Sequence, residues 1–258
     1  MSWTLPIPYI VRFISIRSGV GKTRTACFLV KELKARGYRV GVVKHAASPV
    51  SLEEKDSKRY IESGADIVVV SSSGLVVVYV KSHRDIIEDA VIYAGTPVII
   101  VEGYRESSLG DVIVVASSSE ELETILGSGV KPLAVVITGQ ISITSSADLK
   151  VFKERELIGL VDLIETRILE HYLEQTPRTD CGMCGYAKCR ELVEAYIKGR
   201  AHWCPVIGRG VRLLVDNVEI PLNPFVKSII SSTLQGLVST LKGTPSTWSK
   251  ITVTISKD

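Results

Sequence analysis

A chain of 258 residues with 45% hydrophobic and 23% charged residues has the composition of a globular protein with a substantial core. Its formal net charge of +3 is too small to indicate a general attraction to nucleic acid, and its apolar runs are shorter than the roughly 20 residues of a membrane-spanning helix. The first residues lack the charged and apolar regions of a secretory signal. We therefore expect a cytoplasmic protein whose cysteines stay reduced.

Strand-like runs and helical patterns alternate along the first 165 residues. The strands are predicted at 11–16, 39–45, 66–72, 74–80, 97–103, 111–117 and 132–138. The helices are predicted at 22–36, 55–64, 85–95 and 120–127. Because the strand runs are continuously β-branched rather than alternating with polar residues, we expect strands that are buried on both faces. The pattern predicts an α/β fold with a mostly parallel sheet.

The remaining sequence predicts a second, smaller domain of the α+β type. A helix at about 154–175 leads into a cysteine-rich segment at 181–205. A hairpin follows at 211–222 with its turn at Asp216-Asn217, then an amphipathic helix at 223–243 and a terminal strand at 250–256. We place the domain boundary so that residues 1–176 form the first domain and residues 177–258 the second.

The stretch "RSGVGKT" lies between the first predicted strand and the first predicted helix, where phosphate-binding loops occur. Glycines let backbone N–H groups surround phosphate oxygens, and the helix N-terminus favours negative charge. In this interpretation Lys22 reaches the β- and γ-phosphates, and the Thr23 hydroxyl binds Mg²⁺. The alternative is a glycine-rich turn that only connects strand to helix. The predicted nucleotide-binding residues are Ser18, Gly19, Val20, Gly21, Lys22, Thr23 and Arg24.

Three further segments contain candidate residues for the same nucleotide site. Lys44 and His45 close "VVKH" at the carboxyl edge of the sheet, where ligands of α/β proteins bind, although a surface pair is the alternative. Glu102 follows a buried strand. This is the position of the acidic residue that holds Mg²⁺ or polarises the attacking water in P-loop NTPases. The alternative is a carboxylate that only lies in a turn. Asp56 is a candidate second magnesium-linked acid or a helix cap.

These segments together resemble the MobB family of molybdopterin-guanine dinucleotide biosynthesis adaptors. The matching stretches are "SGVGKT", "LKARGYRVGVVKH", "KDSKRYIESGAD" and "VIIVEGY", within residues 10–165. The loop also looks like that of the MinD-like NTPases. Ile16 and Arg17, in contrast, depart from the MobB family's usual loop, which begins with glycine. The resemblance implies a P-loop NTPase that binds GTP and assists the attachment of GMP to molybdopterin. A guanine-reading "NKxD" motif is not evident, so ATP stays open.

Four of the five cysteines lie within 24 residues: Cys181, Cys184, Cys189 and Cys204. In a cytoplasmic protein such clustering indicates a metal site. Zinc usually takes two close ligand pairs, and only Cys181 and Cys184 form one, so we favour an iron–sulfur cluster, with zinc or plain thiols as alternatives. We expect Cys27, within the first helix, to be a buried apolar residue.

The cysteine segment resembles the small 4Fe-4S domain of Rnf-type electron-transport subunits and corrinoid iron–sulfur proteins, which carries "CGxCGxxxC" and a final "CP". The preferred hypothesis is a slow GTPase that acts as an adaptor. Its expected partners are a molybdopterin guanylyltransferase or molybdoenzyme maturation proteins, and the resemblance implies a homodimer. The alternative hypothesis is a nucleotide-gated electron-transfer or metallocofactor-maturation protein. A third possibility is a cluster that only stabilises the small domain.

Overall fold

The computed structural model describes residues 6–46, 55–80, 84–139, 149–206, 211–216, 218–220, 222, 224–244 and 251–255. The chain forms two compact units: Ile7–Ile168, and Leu169–Asp258 together with Met1–Pro6. The boundary at 176/177 stays a prediction. Within the described ranges, no helix combines the length and apolar character that crossing a membrane requires.

The unit Ile7–Ile168 consists of strands with intervening helices. In chain order its elements are β1 (Tyr9–Ile14), α1 (Lys22–Ala35), β2 (Val40–Lys44), α2 (Lys55–Glu62), β3 (Ile67–Ser72), β4 (Leu75–Val80), α3 (Ile87–Ile92), β5 (Val98–Glu102), β6 (Asp111–Ala116), α4 (Ser119–Gly127), β7 (Ala134–Ile137) and β8 (Val151–Lys153). A single 3₁₀ turn, Glu154–Glu156, then leads into α5 (Leu157–Glu174), which runs on into the second unit.

Six strands form one parallel sheet in the order β2-β5-β1-β6-β7-β8. The predicted α/β class is confirmed. The central strands β1, β5, β6 and β7 are buried along almost their whole length, as continuous β-branched runs predict. Because all six strands run the same way, the carboxyl ends of β1, β2 and β5 lie at one edge of the sheet.

Two apolar clusters attach helices to the same face of β1. Ile14 packs with Leu122 and Ile125 of α4, while Ile10 packs with Ile87 of α3. Since alternate residues of a strand share a face, Arg12 lies on this face between Ile10 and Ile14. Helix α1 packs against β1, β2 and β5.

Strands β3 and β4 differ from the expectation of strands buried on both faces. They form a separate antiparallel hairpin outside the parallel sheet, and its side chains are exposed or half-buried. Exposed apolar residues occur on both strands, with Val69 60% and Val78 50% exposed. The prediction failed because a β-branched run shows that a segment is a strand but does not show what covers it.

The second unit contains a short helix, a hairpin and a longer helix: α6 (Cys189–Ile197), β9 (Leu213–Val215), β10 (Val218–Ile220) and α7 (Pro224–Ser239). The predicted hairpin turns at Asp216, and its other turn residue, Asn217, lies outside the described residues. The predicted terminal strand is wrong for residues 251–255, which adopt no regular structure. Alternating Thr and Val favour a strand only where a neighbouring strand offers hydrogen bonds.

An aromatic cluster forms part of the core of the second unit. The rings of Tyr172, Tyr196 and Trp203 lie with centroids 4.9 to 5.7 Å apart. Tyr172 is fully buried and Trp203 is 6% exposed. Trp203 directly precedes Cys204, so this cluster fixes the backbone that carries one of the four clustered cysteines.

Candidate functional site

The loop between β1 and α1 has the backbone that phosphate binding needs. Gly19 and Gly21 take left-handed conformations, with φ of +78° and +97°. A Cβ on Gly21 would lie only 3.1 Å from Cγ2 of Thr138, so strain and packing both favour glycine there. Among the described residues, no hydrogen-bond partner is found for the backbone N–H groups of Ser18, Gly19 and Val20. These groups are available to an anion.

Lys22 is the first residue of α1, and its ammonium group turns back over the loop. Its Nζ donates to Ser15 Oγ at 2.5 Å and to the carbonyl of Arg17 at 3.1 Å. Ser15 Oγ in turn donates to the same carbonyl at 2.6 Å. The ammonium group is thereby held above the glycine loop, where phosphate oxygens would compete for its protons.

Glu102 meets the first turn of α1 at the edge of the sheet. Because β5 neighbours β1, its last residue comes close to the helix that follows β1. The Thr23 hydroxyl lies 2.9 Å from both carboxylate oxygens of Glu102. A hydroxyl and a carboxylate together are hard oxygen ligands of the kind that Mg²⁺ takes beside substrate phosphates. The structure therefore brings Thr23 and Glu102 together.

Several residues that support the loop were not predicted from the sequence. Thr138, after β7, donates from Oγ1 to the carbonyl of Val20 at 2.7 Å. Glu121 of α4 is 3% exposed and lies 3.5 Å from Arg17. The backbone N–H and hydroxyl of Ser117 donate to Glu121 and lower the pKa of its carboxyl group. The motif Ser118-x-x-Glu121 signals only a helix start, since the sequence does not show Arg17 nearby.

Arg24 and the pair Lys44–His45 occupy the surroundings of the loop. Arg24 forms an ion pair with Glu154. Lys44 ends β2 with an exposed side chain, and the His45 backbone N–H donates to the carbonyl of Glu102 at 2.9 Å. This bond places His45 beside the Thr23–Glu102 pair.

The His45 ring has two partners that sequence reasoning missed. It stacks on Tyr104 with ring centroids 4.5 Å apart, and its Nε2 lies 3.2 Å from Asp85. Gly103 allows this approach, because a Cβ there would lie 2.8 Å from His45 Cβ. Both partners lie in connecting segments whose course becomes evident only in the fold.

Asp56 is not brought to the loop by any contact among the described residues. It lies in the first turn of α2, and its Oδ1 accepts a hydrogen bond from Arg59 at 3.2 Å. Its assignment as a magnesium-linked acid stays a prediction. Within the described ranges no three His, Cys, Asp or Glu side chains converge closely enough to hold one metal ion.

The five cysteines fall into two different environments. Cys27 is exposed on α1, so the prediction of a buried apolar role is wrong. The buried residues of that helix are Thr25, Ala26, Leu29 and Leu33, whose spacing leaves Cys27 on another face. In the second unit Cys189 and Cys204 are buried, while Cys181 and Cys184 are half-buried. None of the five cysteines forms a disulfide.

The backbone around the clustered cysteines turns tightly. Gly182 and Gly185 have φ of +72° and +86°, and the Gly185 N–H donates to the Gly182 carbonyl at 2.9 Å. Asp180 Oδ1 accepts from the N–H of Cys189 at 2.7 Å, which ties the segment before Cys181 to the start of α6. A Cβ on Gly182 or Gly185 would meet open space within 4 Å.

The four clustered cysteines form a donor set that a metal centre could use. Zinc takes four ligands at one atom, whereas a cubane takes one thiolate at each of its irons. Four free thiols within one unit supply the number of ligands that either centre needs.

Comparison with known families decides which family the first unit belongs to. The model described as "Molybdopterin guanine dinucleotide synthesis protein B", or MobB, matches residues 10–138, which is half of the chain. The chain belongs to the MobB family. The match contains the loop, Glu102 and Thr138, so the contacts of Thr23 and Val20 lie within the MobB part of the chain. A second model, described as "Putative Fe-S cluster", matches residues 177–205 and contains all four clustered cysteines.

Related proteins share the MobB part, and their alignments extend beyond it. A Methanocaldococcus jannaschii protein named "Putative molybdopterin-guanine dinucleotide biosynthesis adapter protein" is 26% identical over 223 residues, covering 83% of this chain and 86% of that protein. A Bacillus subtilis protein, "Probable molybdopterin-guanine dinucleotide biosynthesis adapter protein", is 25% identical, covering 65% and 97%. The crystal structure of Bacillus subtilis MobB has the same fold: TM-score 0.50, 20% identity, covering 62% of this chain and 98% of that one.

Proposed function

We propose that this MobB-family chain is a GTP-binding adaptor of molybdopterin guanine dinucleotide synthesis. The observation that carries the proposal is the meeting of Thr23 with both carboxylate oxygens of Glu102, directly beside Lys22 and the glycine loop. Lys22 and the loop N–H groups neutralise and orient the phosphates. Mg²⁺, held by Thr23 and Glu102, would supply charge neutralisation at the phosphate oxygens. GTP is favoured over ATP because the family makes a guanine dinucleotide.

We assign the carboxylate of Glu102 a larger role in GTP hydrolysis than in GTP binding. In Glu102→Gln the amide oxygen can still accept from Thr23, while the negative charge is lost. We expect GTP affinity to change by less than about tenfold and hydrolysis to slow by about 10²-fold or more, the range of a positioned acid–base or metal-linked group. Nucleotide titration and phosphate-release assays on the same preparation measure both quantities.

Glu123→Gln on the exposed surface of α4 is the matched control and should leave both quantities unchanged. If affinity and turnover fall together in Glu102→Gln, then Glu102 is a structural residue or a direct nucleotide ligand. Slow hydrolysis by the chain alone agrees with an adaptor whose partner completes the site.

We infer that residues 177–258 form an iron–sulfur domain that holds a 4Fe-4S cluster through Cys181, Cys184, Cys189 and Cys204. Support comes from the family match at 177–205 and from the positive-φ glycine turn with open space beside it. When bound, the cluster would supply one-electron redox chemistry or a rigid cross-link. The N-terminus of α6 at Cys189 favours the negative charge of the thiolates.

Both relatives are named adapter proteins of molybdopterin-guanine dinucleotide biosynthesis. We therefore expect a partner in that pathway, and we propose the enzyme that transfers GMP to molybdopterin. The test adds the purified chain to a molybdopterin guanylyltransferase and measures dinucleotide formation. Stimulation that depends on GTP supports the proposal, and no stimulation at any ratio of the two proteins contradicts it.

One observation favours nucleotide-gated electron transfer as a second candidate. Cys181 and Cys184 are only half-buried, so one edge of a bound cluster would lie close to solvent and to an acceptor protein. Reduction of an acceptor protein by the reduced chain, changed by GTP, would support this candidate. A cluster whose redox state changes neither reaction would be structural.

A homodimer is proposed on the exposed β3–β4 hairpin. The hairpin lies outside the main sheet and exposes apolar side chains on both strands, and such patches mark interfaces. We expect Val78→Asp to shift the chain to a monomer in light scattering. Ile92→Asp, on α3 and 73% exposed against 50% for Val78, should not. A wild-type monomer, or a dimer unaffected by Val78→Asp, contradicts this assignment.

A further inference from the structure

The connection between β5 and β6 crosses the face of β1 without forming a helix. β5 and β6 both run parallel to β1 and lie on its two sides, so residues 103–110 must return from one edge of the sheet to the other. Arg12, in the middle of β1, supports this crossing segment. Its Nη1 donates to the carbonyl of Tyr104 at 2.9 Å and its Nε to the carbonyl of Leu109 at 2.6 Å.

Arg12 is a buried cation without an acidic partner. It is 2% exposed, and within the described part of the chain no carboxylate forms an ion pair with it. Burial lowers the pKa of its guanidinium group, because desolvation disfavours the charged form. The two carbonyl bonds use only part of its five N–H donors. A buried, uncompensated charge of this kind is costly unless something neutralises it.

Arg12 lines a cavity of about 500 Å³ between the crossing segment and the C-terminal end of α4. The cavity is cationic, because Arg105 and Lys131 also line it. Among the described lining residues the one carboxylate is Glu106, which already pairs with Arg105 at 3.2 Å. Ser108 and Lys131 have no hydrogen-bond or ion-pair partner among the described residues.

We propose that this cavity binds the phosphate group of a small phosphorylated molecule. The planar donors of Arg12, the ammonium group of Lys131 and the Ser108 hydroxyl together match a phosphate better than a neutral ligand. Ile16, after β1, and Lys131, before β7, both line the cavity, so it extends between the two edges of the parallel sheet. Lys131 lies at the amino edge, whereas Lys22 and Thr23 lie at the carboxyl edge, so the chain has a second anion site that shares neither residue.

The test uses the full chain carrying Lys22→Ala, which removes the ammonium group of the nucleotide loop, and titrates inorganic phosphate by calorimetry. Phosphate should still bind. Adding Lys131→Glu should weaken this binding at least tenfold, the minimum for losing one charge-assisted contact and gaining a repulsion. Adding Lys31→Glu, on the exposed surface of α1, should not.

Two outcomes overturn the proposal: loss of all phosphate binding in Lys22→Ala, or equal phosphate affinity in the Lys131→Glu and Lys31→Glu forms. Lys131→Glu alone should keep wild-type GTP affinity, so a failure of the cavity is distinguishable from a failure of nucleotide binding. Acetate, titrated in parallel, should bind at least tenfold more weakly than phosphate, and equal binding of the two anions also contradicts a phosphate site.

Discussion

Lys22→Ala is expected to weaken the binding of GTP and ATP by roughly 30-fold or more, up to loss of detectable binding, while the fold stays intact. The Lys22 ammonium group is held over the glycine loop by Ser15 and the Arg17 carbonyl, which is the position where it would neutralise phosphate charge. Truncating one partner of a hydrogen-bonded charge pair costs about 2–5 kcal/mol of binding free energy. Because each ~1.4 kcal/mol changes the dissociation constant tenfold, affinity should fall by roughly 30-fold to several thousand-fold.

Calorimetric titration of the wild type and the variant measures this loss, and circular dichroism confirms that the fold is kept. Lys31→Ala, on the exposed surface of the same helix, is the control and should bind like the wild type. Unchanged titrations in Lys22→Ala would remove the phosphate-loop assignment.

Cys184→Ser and Cys204→Ser are each expected to lose iron and to make residues 177–258 sensitive to protease, while the first unit still binds nucleotide. The two residues lie on either side of α6 in the sequence, so a cluster would join the glycine turn to the segment that follows Trp203. Metal-binding energy of this kind is also folding energy, and the small second domain has little apolar core to replace it.

Cys27→Ser is the matched control, because Cys27 is exposed in the other unit. It should keep both iron content and protease resistance. Protease resistance that is equal in all three variants would show that the cluster does not stabilise the domain, and iron retained in Cys184→Ser would remove Cys184 from the ligand set.

Much of the first unit could be predicted because local signals and tertiary structure agree there. The central strands are apolar on both faces, and α1 begins at Lys22 and is followed by Gly37 in a left-handed conformation. Strand β8 was missed because three residues, Val151–Lys153, are too few to give a pattern. The β3–β4 hairpin was assigned to the wrong environment because strand propensity carries no information on pairing or burial.

The candidate site divides in the same way. Lys22, Thr23 and Glu102 could be predicted because phosphate and Mg²⁺ binding requires their residue types. Their positions next to predicted strands also match those of a phosphate-binding site. Arg12 and Glu121 could not be found, since an arginine inside an apolar strand and a glutamate in the first turn of a helix acquire their roles only from residues distant in sequence. Cys27 was misjudged because its apolar neighbours hide its place on the exposed face of α1.

We propose that one chain carries both a nucleotide site and an iron–sulfur cluster. Anaerobic purification, followed by iron, zinc and sulfide analysis and GTP titration of the same sample, tests whether both are present. We expect a brown protein with about four irons and four sulfides per chain that binds one GTP. One zinc per chain without sulfide, or no binding of GTP or ATP, would contradict it.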